Sequence, residues 1–218
     1  MIKALTTIIS VVVILLLAEA GGAAEMMTYK NEEYGFSIDF PEDWTAIANY
    51  MGAVVVFMGP EKEGTVINVN IVVEELPKTM TVEEYAAVSE RAQKNATISY
   101  RKDKSYSTTI NGEPCVILTF TATYTKDAPE VKQKLAYFMR NTTAYIVSCT
   151  ASPITYDEAN ENYFEPMIHS FEFIAGVTPT PIPSPSSTPE EGVPGFEAVF
   201  AIIGLLAVAY LLTHISHF

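Results

Sequence analysis

Hydrophobic and polar residues alternate along this chain in three different ways, and each way predicts a different kind of element. At the two ends the apolar positions run without interruption: residues 8–17 are broken only by Ser10, and residues 198–212 hold no charge at all. Between them the period is two, then three to four, then two again. Phe36, Ile38 and Phe40 alternate with Ser37 and Asp39, which puts the three large side chains on one face of a strand that Pro41 stops. Residues 53–60 and 65–76 read as two further strands, the first ended by Gly59-Pro60 and joined to the second by a turn at residues 61–64. Helical spacing takes over at residues 79–96, where Val82, Tyr85, Ala86, Val88 and Ala92 form an apolar stripe. Thr81 and Glu84 have the capping-box spacing, and Lys94 falls in the last turn, where a cation suits the helix dipole.

Beyond that helix, residues 97–112 are extended and polar and lead into an Asn111-Gly112 turn. Three strands follow at 114–125, 131–140 and 142–151. In the first, Val116, Leu118, Phe120, Ala122 and Tyr124 are expected to face inward, with Thr119, Thr121 and Thr123 outward. A second helix is predicted at 155–171, kinked or restarted at Pro166, and a short Phe-Glu-Phe strand closes the unit. The order of strands, helix, strands, helix, with short turns between most strands, predicts an α+β domain. Its largely antiparallel sheet would be covered on a face by two main helices.

Composition changes the picture mainly at the ends. The 218 residues carry a formal charge of −13, and residues 25–176 hold 22 Asp and Glu against 12 Lys and Arg. An acidic domain of this kind lacks the basic patch that neutralises phosphates, so nucleic acid is not an expected partner. Lys3, the short apolar run and small residues at 18–24 make a secretory signal over residues 1–24, removed after Ala20 or Ala24. Residues 177–193 are a Pro/Ser/Thr-rich stalk that stays extended and solvated. The uncharged window 198–212, widened to 18 residues at 196–213, would reach ~27 Å as a helix, close to the ~30 Å of a hydrocarbon core, and is expected to be a transmembrane helix.

Few residues offer chemistry. Cys115 and Cys149 are expected as buried free thiols, because a three-strand meander would separate them beyond disulfide reach. His169 is the single His of the domain body and is expected to play a structural or surface part. The acidic doublets at 32–33, 42–43, 74–75, 83–84 and 157–158 lack the spacing of a calcium loop. No catalytic, cofactor-binding or metal-ligating residue is therefore predicted, and no cofactor. Asn95 and Asn141 begin N-x-Thr sequons and are candidate glycosylation sites. Trp44, the only Trp, is either a core plug or the rim of a ligand cleft.

Several local sequences resemble a known family. Tyr34-Gly35-Phe36-Ser37-Ile38 followed by Pro41 and Trp44, the helix start Thr81-Val82-Glu83-Glu84-Tyr85, and Ile110-Asn111-Gly112-Glu113-Pro114 before a Thr-rich strand are similar, in that order, to PsbP/Mog1-like domains. The resemblance covers residues 29–174 and implies a PsbP/Mog1-like α/β/α sandwich and a non-catalytic module. Pro194, Gly195 and Phe196, directly before the apolar tail, resemble the PGF-type sorting signal of archaeal surface proteins. That second resemblance implies processing by an archaeosortase-type enzyme and a membrane anchor at residues 194–218. The resulting expectation is a non-catalytic binding or structural module, exported to the cell surface and contacting an envelope protein or glycan. A ligand- or metal-binding receptor domain is the alternative, and a surface hydrolase comes third.

Overall fold

The computed structural model describes residues 25–177. The signal, most of the stalk, the Pro194-Gly195-Phe196 motif and the expected membrane span lie outside those residues. Among the described residues no helix is long and apolar enough to cross a membrane.

The chain order is β1 (Met26–Asn31), β2 (Phe36–Pro41), β3 (Thr45–Tyr50), β4 (Ala53–Lys62), β5 (Thr65–Glu75), α1 (Val82–Ala96), β6 (Ser99–Ile110), β7 (Glu113–Thr123), β8 (Val131–Arg140) and β9 (Thr143–Ala151). A composite helix follows: α2 (Tyr156–Ala159), one wide π turn (Asn160–Phe164) and α3 (Glu165–Ser170), before β10 (Glu172–Phe173). Seven strands make one antiparallel sheet in the order β3-β4-β5-β9-β8-β7-β6, and β1-β2-β10 make a small second sheet.

The large sheet is buried on both faces. On one, Val56, Val72, Val116, Leu118, Leu135, Tyr137 and Ile146 pack under Val82, Tyr85 and Ala86 of α1. On the other, Phe57, Ile71, Ile117, Phe138, Tyr145 and Val147 pack against Phe36, Ile38 and Phe40 of β2 and against Phe164, Met167, Ile168 and Phe171 of the composite helix. The two helical elements thus cover opposite faces, as the resemblance to an α/β/α sandwich implied, where the order of elements alone suggested one covered face. This second layer also corrects the reading of β7. Thr119 and Thr121 are buried rather than outward, because the composite helix and the small sheet lie over the face they occupy.

Local chemistry explains most boundaries. Thr81 and Glu84 form the predicted box, with Glu84 N donating to Thr81 Oγ1 at 3.2 Å and Thr81 N to Glu84 Oε2 at 2.9 Å. Pro166 lacks the N–H that a continuous helix would use, and it stands in the first turn of α3, so the helix restarts there. Asn111 (φ 51°) and Gly112 (φ 85°) form a two-residue turn with both central residues at positive φ, the geometry that matches strand twist. The Asn111 side chain then donates to the His169 and Phe171 carbonyls, both at 2.9 Å, and so ties this hairpin to the end of α3.

Two strands differ from expectation. Residues 45–50 form β3, an edge strand with no alternating pattern of its own, held by pairing with β4. β4 does not stop at Gly59-Pro60. It runs on to Lys62 through a register shift between Met58 and Glu61, where a proline costs no ladder hydrogen bond.

Candidate functional site

β6 is the last strand of the large sheet, and it is exposed along nearly its whole length. Ser105 and Ser107 are short where this stretch of β6 faces α1, and they line an open trough between the strand and the helix. The trough between them has a volume of about 300 Å³. Val116 and Leu118 of β7 line its floor and Ala86 and Ala87 one wall. Two polar bridges cross it: Ser107 Oγ donates to Glu83 Oε1 at 3.3 Å, and Lys102 Nζ to Glu90 Oε2 at 2.7 Å.

Charged side chains stand on both faces of the sheet beside this trough. Lys94 and Lys102 stand on the trough's face, whereas Arg101, Lys104 and Lys132 stand in register with Thr121 and Thr119 on the face that the composite helix covers. Pairing of Arg101 with Thr121, and of Thr121 with Lys132, brings the start of β6, the end of β7 and the start of β8 to the same corner. Each carboxylate there serves two cations. Glu90 holds Lys94 at 3.1 Å and Lys102 at 2.7 Å, while Asp103 holds Arg101 at 2.8 Å and Lys132 at 3.8 Å. The carboxylates sit low, with side chains 15 % and 20 % exposed, and the cations stand above them, Lys94 at 52 % and Arg101 at 70 %. Burial works against ionisation of Glu90, but the hydrogen bonds and charges of Lys102 and Lys94 outweigh it and hold the carboxyl below its ordinary range. Lys132 also lies 3.8 Å from Asp157, and Asp127 and Glu130 accompany Lys126 in the loop before β8, so the charges around this end of the sheet are mixed.

A second polar group is buried on the opposite face. Lys134 of β8 is 1 % exposed and reaches Glu165 at the start of α3 and Asn160 Oδ1, 2.9 Å away, at the start of the π turn. Glu165 is 37 % exposed. Burial raises its carboxyl, yet Lys134 prevails and holds it low. The π turn carries Asn160 and Glu165 over the same lysine, so the interruption in the helix and the buried cation form one feature.

The remaining expected residues are dispersed. Both thiols are free and buried, as expected. Cys115 pairs with Phe138, Phe138 with Tyr145, and Cys149 lies four residues beyond Tyr145. Two strand spacings and four residue steps amount to ~16 Å, far outside disulfide reach. Burial pushes the Cys115 thiol up to about 12 and Cys149 higher still, which keeps both protonated at neutral pH. His169 is exposed on the last turn of α3, 3.5 Å from Glu165 Oε2. Among the described residues no three His, Cys, Asp or Glu side chains gather as a metal site would need. Asn95 is exposed on the last turn of α1, and Asn141 (φ 58°) is exposed at the tip of the β8–β9 hairpin.

Trp44 is buried in the core cluster. The side chain is 5 % exposed, packs on Tyr163 with ring centroids 5.1 Å apart, and does not line the trough. Its indole lies directly on Gly59, where a Cβ would come within 2.4 Å of Cε2.

Two features were missed from the sequence. Lys132 and Lys134 share period-two parity with Ala136 and Phe138, so the pattern of β8 alone places a lysine on a core face. The ion pairs of Glu90 and Asp103 join α1, β6 and β8, and no local pattern marks them.

Comparison with known proteins places the whole arrangement. A family model described as PsbP-like protein matches residues 17–173, and a PGF-CTERM motif matches residues 193–213. No curated protein matches the chain. Among solved structures, cyanobacterial PsbP (CyanoP) from Synechocystis sp. PCC 6803 is 14 % identical, over 71 % of this chain and 95 % of its own, with a TM-score of 0.53. The Saccharomyces cerevisiae Ran-binding protein Mog1p is 11 % identical over 69 % and 96 %, with a TM-score of 0.47. PA94 of Pseudomonas aeruginosa, a protein of unknown function, is 14 % identical over 73 % and 100 %, with a TM-score of 0.48. At these identities the likeness to CyanoP concerns the fold alone. The PGF-CTERM motif points to a surface-anchored protein. The chain belongs to the PsbP-like family and carries a PGF-CTERM motif at its C-terminal end.

Proposed function

We propose that this protein is a non-catalytic binding or structural module of the cell surface. It is exported by its N-terminal signal, held off the membrane by the Pro/Ser/Thr-rich stalk, and anchored through the PGF-CTERM segment after archaeosortase-type processing. The observation that carries the proposal is the order of parts along the chain: a PsbP-like domain, then an extended proline-rich spacer, then the PGF-CTERM motif. The two protonated, buried thiols favour binding over nucleophilic chemistry, since the thiolate is the reactive form.

Two measurements on the native protein test this. Intact mass spectrometry of the membrane-extracted form is expected to give a chain ending near Pro194 or Gly195 with an added lipid. A mass that retains Phe218 would mean an unprocessed tail. The same spectra read glycan mass at Asn95 and Asn141, and bare asparagine at both would end the glycosylation proposal. Photo-crosslinking on intact cells from exposed positions on each edge of the domain is expected to give a discrete partner band. A uniform absence of crosslinks would overturn the binding role.

A further inference from the structure

Asn111-Gly112 is the only Asn-Gly pair in the chain, and it forms the β6–β7 turn with both residues exposed. Such a pair is chemically unstable. The backbone nitrogen that follows an asparagine can attack the side-chain amide carbon, and a glycine, with no Cβ, leaves that approach open. The bond that forms joins the Gly112 nitrogen to Asn111 Cγ. The bond that breaks is Cγ–Nδ2, and the amide nitrogen leaves as ammonia with the proton of the Gly112 N–H. Water then opens the five-membered ring at either carbonyl and leaves aspartate or isoaspartate. One water enters and one ammonia departs, with no oxidant or reductant. The fold opposes the first step. The leaving nitrogen, Asn111 Nδ2, donates to the carbonyls of His169 and Phe171, both at 2.9 Å. Cyclisation must turn the side chain away from the end of α3 and break both bonds. The backbone is held as well: Ile110 pairs with Glu113, and the two turn residues sit at φ 51° and 85°. Burial adds nothing to this protection, because a Cβ built on Gly112 would meet no atom within 4 Å and water reaches the turn.

We propose that Asn111 is a site of spontaneous deamidation gated by this clip, and that its conversion loosens the segment through which the domain joins its stalk. The product puts a carboxylate oxygen where a donor stood. That oxygen faces the His169 and Phe171 carbonyls at the C-terminal end of α3 and has no proton to give them. The carbonyl end of a helix disfavours an anion, so two acceptors lose their side-chain donor and meet a like charge. The segment so released is short of other ties. Phe171 leads directly into β10, a strand of two residues paired to β2, and Ile174 N donates to Gly35 O at 2.9 Å. The Pro/Ser/Thr-rich segment begins at residue 177, so any pull from a C-terminal anchor enters the domain here. Conversion runs only while the clip is open, and a converted chain opens more readily. Each opening event therefore carries a chance of permanent loss.

The full-length protein in detergent micelles is incubated at pH 8, native and in concentrated guanidinium chloride. Peptide mapping by mass spectrometry follows the exchange of NH2 for OH at Asn111. Conversion is expected to be at least about tenfold slower in the native sample, because it proceeds only in the fraction of molecules whose clip is open. Two samples then read the consequence: the converted protein, separated by ion exchange on its added negative charge, and Asn111→Asp, which is one of the two products. In both, hydrogen exchange at the amides of Phe171 and Ile174 is expected to speed up about tenfold, while amides at the centre of β9 keep their protection. Thermal unfolding confirms that both samples are folded, and the separated protein serves alone if the variant is not. Equal conversion in the two solvents overturns the gating, and no conversion in denaturant overturns the site. Exchange at Phe171 and Ile174 as slow in the converted protein as in the parent overturns the loosening of the stalk junction.

Discussion

Removing one partner of the Lys134–Glu165 pair should cost far more than removing the other. Lys134 is 1 % exposed and projects from the middle of β8, whereas Glu165 is 37 % exposed and sits at the domain surface. In Glu165→Ala the ammonium stays where it is, with only Asn160 Oδ1 left to face it. Stranding a buried charge costs ~3–5 kcal/mol in fully enclosed pairs. The solvent that reaches Glu165 reduces that here, and about 2 kcal/mol is a reasonable figure. For a domain of this size each kcal/mol lowers the Tm by ~2–4 °C, so Glu165→Ala should melt ~4–8 °C below the parent. Lys134→Met behaves differently. The unbranched thioether fills the space of the lysine stem, and the freed carboxylate turns to water, so a change within about 1 kcal/mol of zero is expected. The assay is circular dichroism melting of the full chain in detergent at pH 7, for both single variants and the double variant. Adding Lys134→Met to Glu165→Ala should recover most of the loss. Equal losses in the two single variants, or a double variant no better than Glu165→Ala alone, would refute the argument that the cost is a stranded cation. The pair also carries a pH signature. The folded carboxyl is held low, so its stabilisation is present above the unfolded value near ~4.3 and is lost as pH falls through the folded one.

Other consequences follow from single contacts. Gly59→Ala would place a Cβ 2.4 Å from the Trp44 ring, and the overpacking should cost ~1–3 kcal/mol and alter the fluorescence of the only Trp. Thr81→Ala removes one half of the capping box and should lower stability by ~1 kcal/mol, read as a fall of ~2–4 °C in Tm. Cys115 and Cys149 should resist thiol reagents in the folded protein and react fully in denaturant. Because burial raises the Cys115 thiol to about 12, the stability it contributes is complete below ~8.5 and is lost progressively as pH climbs from there, which chemical denaturation at pH 7, 9 and 10 would detect.

How much of this was legible beforehand depended on whether the signal was local. The capping box, the Asn111-Gly112 turn and the restart at Pro166 each lie within a few residues, and the structure has each where its sequence puts it. The separation of the cysteines also came through, because it needed only strand order and a meander. β3 did not: Thr45–Tyr50 has no alternation, and it is a strand only because β4 lies beside it. The outward reading of Thr119 and Thr121 failed for a related reason. Alternation shows which residues share a face, but it does not show whether a second layer covers the other face.

The sequence by itself determined the class of elements, the PsbP-like membership and the PGF-CTERM motif, since periodicity, caps and motifs are properties of neighbouring residues. Tertiary structure alone decided the rest. It set α1 and the composite helix on opposite faces of one sheet, enclosed Trp44 against Gly59, and closed Glu165 over Lys134. It also joined α1 to β6 through Glu90 and Lys102, and β6 to β8 through Asp103 and Lys132. Those arrangements join residues far apart in the chain, and their energies arise from burial and from charges at close range, which exist only once the sheet has formed.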